Sequence, residues 1–87
     1  MDITPISASG MEAARTRIQT SAHNVANLQT EDFEAYRTRQ TSAGPQQGVT
    51  TNVVQTDKAP TLTEEVTTQK SAVYTFKANA LAVQSQQ

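Results

Sequence analysis

The stretch Met11-Glu12-Ala13-Ala14-Arg15-Thr16-Arg17-Ile18-Gln19-Thr20-Ser21-Ala22-His23-Asn24-Val25-Ala26-Asn27-Leu28 decides how the rest of the chain is read. Met11, Ile18 and Val25 recur at every seventh position, with Ala14, Ala22 and Leu28 between them at helical spacings. A repeat of seven keeps one edge of a helix apolar over several turns, the pattern of a coiled-coil seam. The small residues in it let a partner helix approach closely. Upstream, Thr4-Pro5 reads as an N-cap followed by proline at the first helical position, where a missing N–H costs nothing. Ser9-Gly10-Met11-Glu12 has the spacing of a capping box and offers a second start. Asn27 is a stop signal, because asparagine tolerates the left-handed conformation. A first helix is expected over about 4–28.

The other end of the chain has the same character. Pro60 disfavours helix before it, and Thr61-Leu62-Thr63-Glu64 is a capping box directly after it. Val66, Val73 and Ala80 are seven apart, with Leu62, Gln69, Phe76 and Val83 as the other half of the seam. Gln69 is polar at a seam position, which can set register at some cost in stability. Tyr74 and Leu81 lie beside the seam and widen the apolar face. A second helix is expected over about 61–86, and each helix of about 24 residues is roughly 36 Å long.

Between the helices, over about 31–60, the period changes. Phe33–Gln40 can alternate as a strand, Gly44-Pro45-Gln46-Gln47-Gly48 is a turn, and Val49–Thr56 is rich in β-branched residues. These read as a β-hairpin, which alone in water is marginal and needs the helices or a neighbour to hold it. Asp57-Lys58-Ala59-Pro60 links it to the second helix. The fold class is mainly α. Two long amphipathic terminal helices pack as an antiparallel coiled-coil hairpin, with a short β-hairpin between them, in one small domain spanning 1–87.

Composition narrows the function. With 87 residues, 36% of them hydrophobic and 5% aromatic, the chain has little material for a closed core. Small scaffolds compensate with disulfides, a metal or oligomerisation. There is no cysteine and a single histidine, His23, so oligomerisation is the compensation left, and a marginally stable monomer is the alternative. A formal net charge of -1 and scattered Arg and Lys give no stripe for nucleic acid and no polybasic membrane patch. No apolar run approaches the roughly 20 residues of a membrane span. The opening Met1-Asp2-Ile3-Thr4-Pro5 has neither a basic nor an apolar region of a cleaved secretory signal.

Catalytic constellations are equally sparse. His23 has no serine, cysteine or carboxylate placed by sequence to form a relay, and packing or solvent contact is its natural role. Glu64-Glu65 fall in the first turn of the second helix, where negative charge complements the helix dipole. Glu31-Asp32 and Asp57 lack metal-loop spacing, and Gly10, Gly44 and Gly48 match no phosphate loop. No enzyme activity, no cofactor, no metal and no small-molecule substrate is expected.

Two segments resemble the N-terminal part of bacterial flagellar axial proteins, the family of basal-body rod and hook subunits. They are Ser7-Ala8-Ser9-Gly10-Met11-Glu12-Ala13-Ala14 and Ala22-His23-Asn24-Val25-Ala26-Asn27-Leu28-Gln29-Thr30. That family has a Ser-Gly-Met-like helix start, an Asn-aliphatic-Ala-Asn core, then Thr and an aromatic, positions held here by Asn24, Val25, Ala26, Asn27, Thr30 and Phe33. The stretches Glu64-Glu65-Val66, Gln69-Lys70, Ala72-Val73-Tyr74 and Lys77-Ala78-Asn79-Ala80 resemble its closing helix. The short middle looks most like a proximal-rod protein. Departures are His23, where the family has a small or polar residue, and Glu31-Asp32, where it commonly has proline or asparagine plus glycine.

The resemblance implies a structural subunit of the flagellar basal-body rod, located in the periplasmic rod and exported without a cleaved signal. Its partners would be further copies of itself and other axial proteins. An alternative is a soluble rod-associated module that engages axial proteins or an export chaperone without polymerising. Packing positions would be Met11, Ile18, Val25, Leu62, Val66, Val73, Phe76, Ala80 and Val83. Asn24, Asn27, Thr30, Phe33, Tyr74 and Asn79 would be the motif's assembly contacts, the asparagines serving as caps or inter-subunit hydrogen bonds.

Overall fold

In the computed structural model, which describes residues 3–45 and 47–85, the chain forms four elements in the order α1, β1, β2, α2. Helix α1 is Thr4–Ala26 and α2 is Leu62–Ser85. Between them, β1 (Tyr36–Ser42) and β2 (Val49–Gln55) pair antiparallel from Tyr36↔Gln55 to Ser42↔Val49. The sequence Met1-Asp2, the turn residue Gln46 and the expected last helical residue Gln86 lie outside the described residues.

Local chemistry shifts several expected boundaries. Helix α1 already includes Thr4, so the cap position falls to Ile3, which makes no side-chain capping bond. Ser9 is then inside the helix, not a second start. Its hydroxyl donates to the Ile6 carbonyl at 2.8 Å and accepts the Val49 N–H at 3.1 Å. Asn27 does end α1, but at φ -111, outside the left-handed region. Its Nδ2 donates back to the His23 carbonyl at 2.9 Å, and its Oδ1 accepts from the Thr30 hydroxyl at 3.0 Å. The left-handed residue is Asp32, at φ 58. This reversal delays β1 to Tyr36, so Phe33 is not a strand residue.

At α2 half of the anticipated capping box forms. Thr61 Oγ1 accepts the Glu64 N–H at 3.3 Å, while the Glu64 carboxylate turns away to Arg37 Nη2 at 2.8 Å. Gly44 (φ 122) and Gly48 (φ 81) take the positive φ values that close the hairpin.

The helices run antiparallel: Asn24 meets Glu65, Ser21 meets Gln69, Arg17 meets Ser71 and Gly10 meets Asn79. What lies between them corrects the expected seam. The buried residues are Ser7, Ala13, Ala14, Ser21 and Asn24 on α1 and Glu65 and Ala72 on α2. Ser7, Ala14 and Ser21 are a repeat of seven, as are Glu65 and Ala72, but a repeat of small and polar residues. Val66, Val73 and Phe76 remain 43%, 41% and 40% exposed, and Leu62 57%. Met11, Ile18, Val25, Ala80 and Val83 are half-buried. Alanine, serine and glycine allow a closer approach than valine or leucine, and the polar members bond across the gap. The helices therefore close on the small edge and displace the large one to the side.

The hairpin packs on a different face of α1, and Arg37 joins it to α2 through Glu64 and Glu65. The result is an elongated body of 49 × 22 × 13 Å.

Gly10 is where the small-residue seam is tightest. A Cβ there would stand 2.7–2.8 Å from the Asn79 side-chain amide. Ala in place of Gly within a helix is worth about 1 kcal/mol. The Gly10→Ala gain measured by urea unfolding should therefore be larger in an Asn79→Ala background than in the native one. Equal gains in both would mean that the two helices do not touch there.

Candidate functional site

Two features stand out: a buried polar knot that joins three elements, and an apolar flank along the helix pair. The knot centres on Glu65, fully buried in the first turns of α2. Its Oε1 accepts from Asn24 Nδ2 at 3.1 Å. Its Oε2 lies 3.0 Å from Arg37 Nη1, while that group directs its hydrogen bond to the Tyr36 carbonyl at 2.9 Å. Oε2 thus has a charge partner but no well-directed donor. The Glu65 carbonyl accepts from the Ser21 hydroxyl at 3.1 Å, and Ser21 in turn accepts from Gln69 Nε2 at 3.1 Å.

Asn24, also fully buried, acts as a strand would. Its Oδ1 accepts the Tyr36 N–H at 2.9 Å and its Nδ2 donates to the Tyr36 carbonyl at 2.8 Å. An amide can satisfy both peptide groups of one residue because it carries donor and acceptor side by side. Asn24 therefore has both polar atoms engaged within the chain. Beside the knot, Arg17, Thr20, Thr38 and Thr68 help line a polar cavity of about 190 Å³. On the hairpin side, the exposed His23 meets Phe33 edge-on at 5.6 Å and Tyr36 at 5.5 Å.

The flank follows from helix geometry. Each apolar residue comes one position after a contact residue: Gly10 then Met11, Arg17 then Ile18, Asn24 then Val25. On α2 the pairs are Glu65 then Val66, Ala72 then Val73, Asn79 then Ala80. One residue turns a helix by about 100°. In an antiparallel pair the turn goes to the same side on both helices. Met11, Ile18, Val25, Val66, Val73 and Ala80 therefore line one side of the helix pair, away from the hairpin, while Leu62 and Phe76 are exposed and Val83 is half-buried.

Of the motif residues, Asn27 and Thr30 cap α1, Phe33 packs on His23, and Asn79 donates to the Thr75 carbonyl at 2.9 Å. Tyr74 is 73% exposed, on the back of α2. Sequence reasoning treated Glu65 as a helix-dipole residue and Arg37 as one of the scattered basic residues. Neither was recognised as the ion pair they form. A signal existed: Ser21, Asn24 and Glu65, with Gln69, are polar residues on helix faces that also carry small residues.

No protein-family model matches this chain, and no curated protein or solved structure is significantly similar to it. No described helix is long and apolar enough to cross a membrane. Among the described residues no group of three His, Cys, Asp or Glu could hold a metal ion.

Removing Arg37 would leave Glu65 buried without its cation, a change that typically costs 3–5 kcal/mol, and less where the partner is part-exposed as here. Arg37→Ala should lower stability by about 3 kcal/mol in urea unfolding, and Arg37→Ala combined with Glu65→Gln by less than Arg37→Ala alone. A double variant that is worse than the single one would remove Glu65 from the centre of the fold.

Proposed function

We propose that the chain is a structural subunit of the bacterial flagellar basal-body rod, assembling through its helix pair in the periplasm. The observation that carries this reading is the mismatch between core and surface. Among the described residues the buried hydrophobic side chains are Ala13, Ala14, Ala35 and Ala72, while Leu62, Val66, Val73, Tyr74, Phe76 and Leu81 stand exposed. Burying a side chain such as valine or leucine contributes about 1.5–3 kcal/mol. A chain this small that leaves its largest apolar groups outside gains most of its hydrophobic stabilisation from neighbours. Those neighbours would be further copies and related axial subunits, docked along the flank of Met11, Ile18, Val25, Val66, Val73 and Ala80.

The local geometry of the motif supports the family reading. The Asn-Val-Ala-Asn segment ends the first helix, with Asn27 capping it. The left-handed turn at Asp32 falls where the family commonly has glycine, the residue best suited to that conformation. Terminal helices lying antiparallel in an elongated body suit a subunit that packs side by side in a tube.

Sedimentation of the purified chain over a wide concentration range is expected to show growth into large species. Val73→Asp should stop growth into large species, since assembly along the flank would bury a carboxylate without a partner. Circular dichroism should show its helicity largely kept, because Val73 is 41% exposed in the single chain. Crosslinking in cells should recover the protein with basal-body axial subunits. A native chain that stays monomeric at all concentrations would overturn self-assembly and favour a soluble rod-associated module.

A further inference from the structure

We infer that a second copy of this chain docks on the open edge of β2, making a four-stranded sheet across a two-fold axis at Val53. The inference concerns a contact separate from the helix flank and does not rest on the flagellar reading.

The pairing parity of the hairpin identifies which peptide groups are free. Ala43 N–H bonds the Gly48 carbonyl at 2.9 Å, and Thr56 N–H bonds the Ala35 carbonyl at 2.8 Å. With the observed register, the mutually bonded rungs are Arg37–Val54, Arg39–Asn52 and Thr41–Thr50. The alternate residues point their N–H and C=O groups outwards: Tyr36, Thr38, Gln40 and Ser42 on β1, and Val49, Thr51, Val53 and Gln55 on β2. Both helix contacts agree with this assignment, since Asn24 takes the outward groups of Tyr36 and Ser9 takes the outward N–H of Val49. That leaves a ready template on β2 at Thr51, Val53 and Gln55.

Three observations favour β2 and a second copy over other occupants. First, β2 reads Val-Thr-Thr-Asn-Val-Val-Gln and has no charged residue, and the edge has no proline. Those are the devices that usually blunt an exposed edge. β1 carries Arg37 and Arg39, and self-pairing there would bring like charges to neighbouring rungs. Second, the β1 edge is tethered towards α2 by Arg37 bonding Glu64. Third, Val53 is 49% exposed at the mouth of an open groove of about 320 Å³, lined also by Thr16, Gln19, Thr20, His23 and Tyr36. A strand added antiparallel about Val53 points its own Val53 to the same face of the sheet, over that groove. Thr51 then lies opposite the copy's Gln55, so each outward peptide group has a counterpart. Backbone bonds with a side chain seated in a groove are the usual basis of strand addition, and the same patch on both copies is what a two-fold demands.

Single-cysteine variants of the full chain test this directly, because the native sequence has no cysteine. Paired strand residues lie within disulfide reach. Under mild oxidation Val53→Cys should form a crosslinked dimer at least about tenfold faster than Gln40→Cys on the β1 edge. Thr51→Pro removes an outward N–H that the hairpin does not use, and should weaken dimerisation about tenfold in sedimentation while circular dichroism is unchanged. Should Thr51→Pro disturb the hairpin, the cysteine comparison still decides. Equal crosslinking rates at the two edges would overturn the inference. So would self-association that Val73→Asp abolishes and Val53→Lys leaves intact, which would assign all assembly to the helix flank.

Discussion

The burial of Glu65 constrains everything else in this molecule. A carboxylate excluded from water needs a cation and hydrogen-bond donors around it, and no single element here can supply both. Arg37 brings the charge from the start of β1, and Asn24 brings a donor from the end of α1. Satisfying one side chain thus fixes where the hairpin leaves the first helix and where the second helix starts. Ion pairs of this kind do not reliably add net stability, but an unpaired buried charge is severely penalised, so alternative arrangements of the three elements are disfavoured. Asn24 adds to this by holding both peptide groups of Tyr36, which sets the first rung of the hairpin.

The second constraint is steric. With Ala14 facing the α2 seam and Gly10 against Asn79, the helices approach too closely for valine or leucine to lie between them. The large residues move to one side together because they keep the same spacing as the small ones. The chain therefore presents two parallel repeats of seven on each helix, one closing the monomer and one left to its surroundings.

The helix-hairpin-helix order was legible because periodicity, proline and β-branched residues are local signals. The helix contact was misplaced by one residue because hydrophobic size dominates any reading by apolar spacing. Ser7, Ser21 and Glu65 carry no weight in such a reading, although they occupy the contact. The knot was out of reach for a different reason. Asn24, Arg37 and Glu65 are far apart in the chain, and only the antiparallel register brings them together. Asp32 is a smaller case of the same kind, since aspartate does not announce the left-handed turn that glycine would have.

The antiparallel helix pair also gives the body a mechanical direction. Residues near Thr4 and Ser85 lie at the same end of the long axis, and the Glu65 knot at the other. Tension applied between the two chain ends would therefore peel α1 from α2 like a zip instead of sliding one along the other. The contact at Gly10 and Asn79 would part first, then Arg17 from Ser71, and the buried carboxylate last. Contacts loaded one after another yield at far lower force than the same contacts loaded in parallel. The helix pair can thus be opened by a gentle pull at its ends.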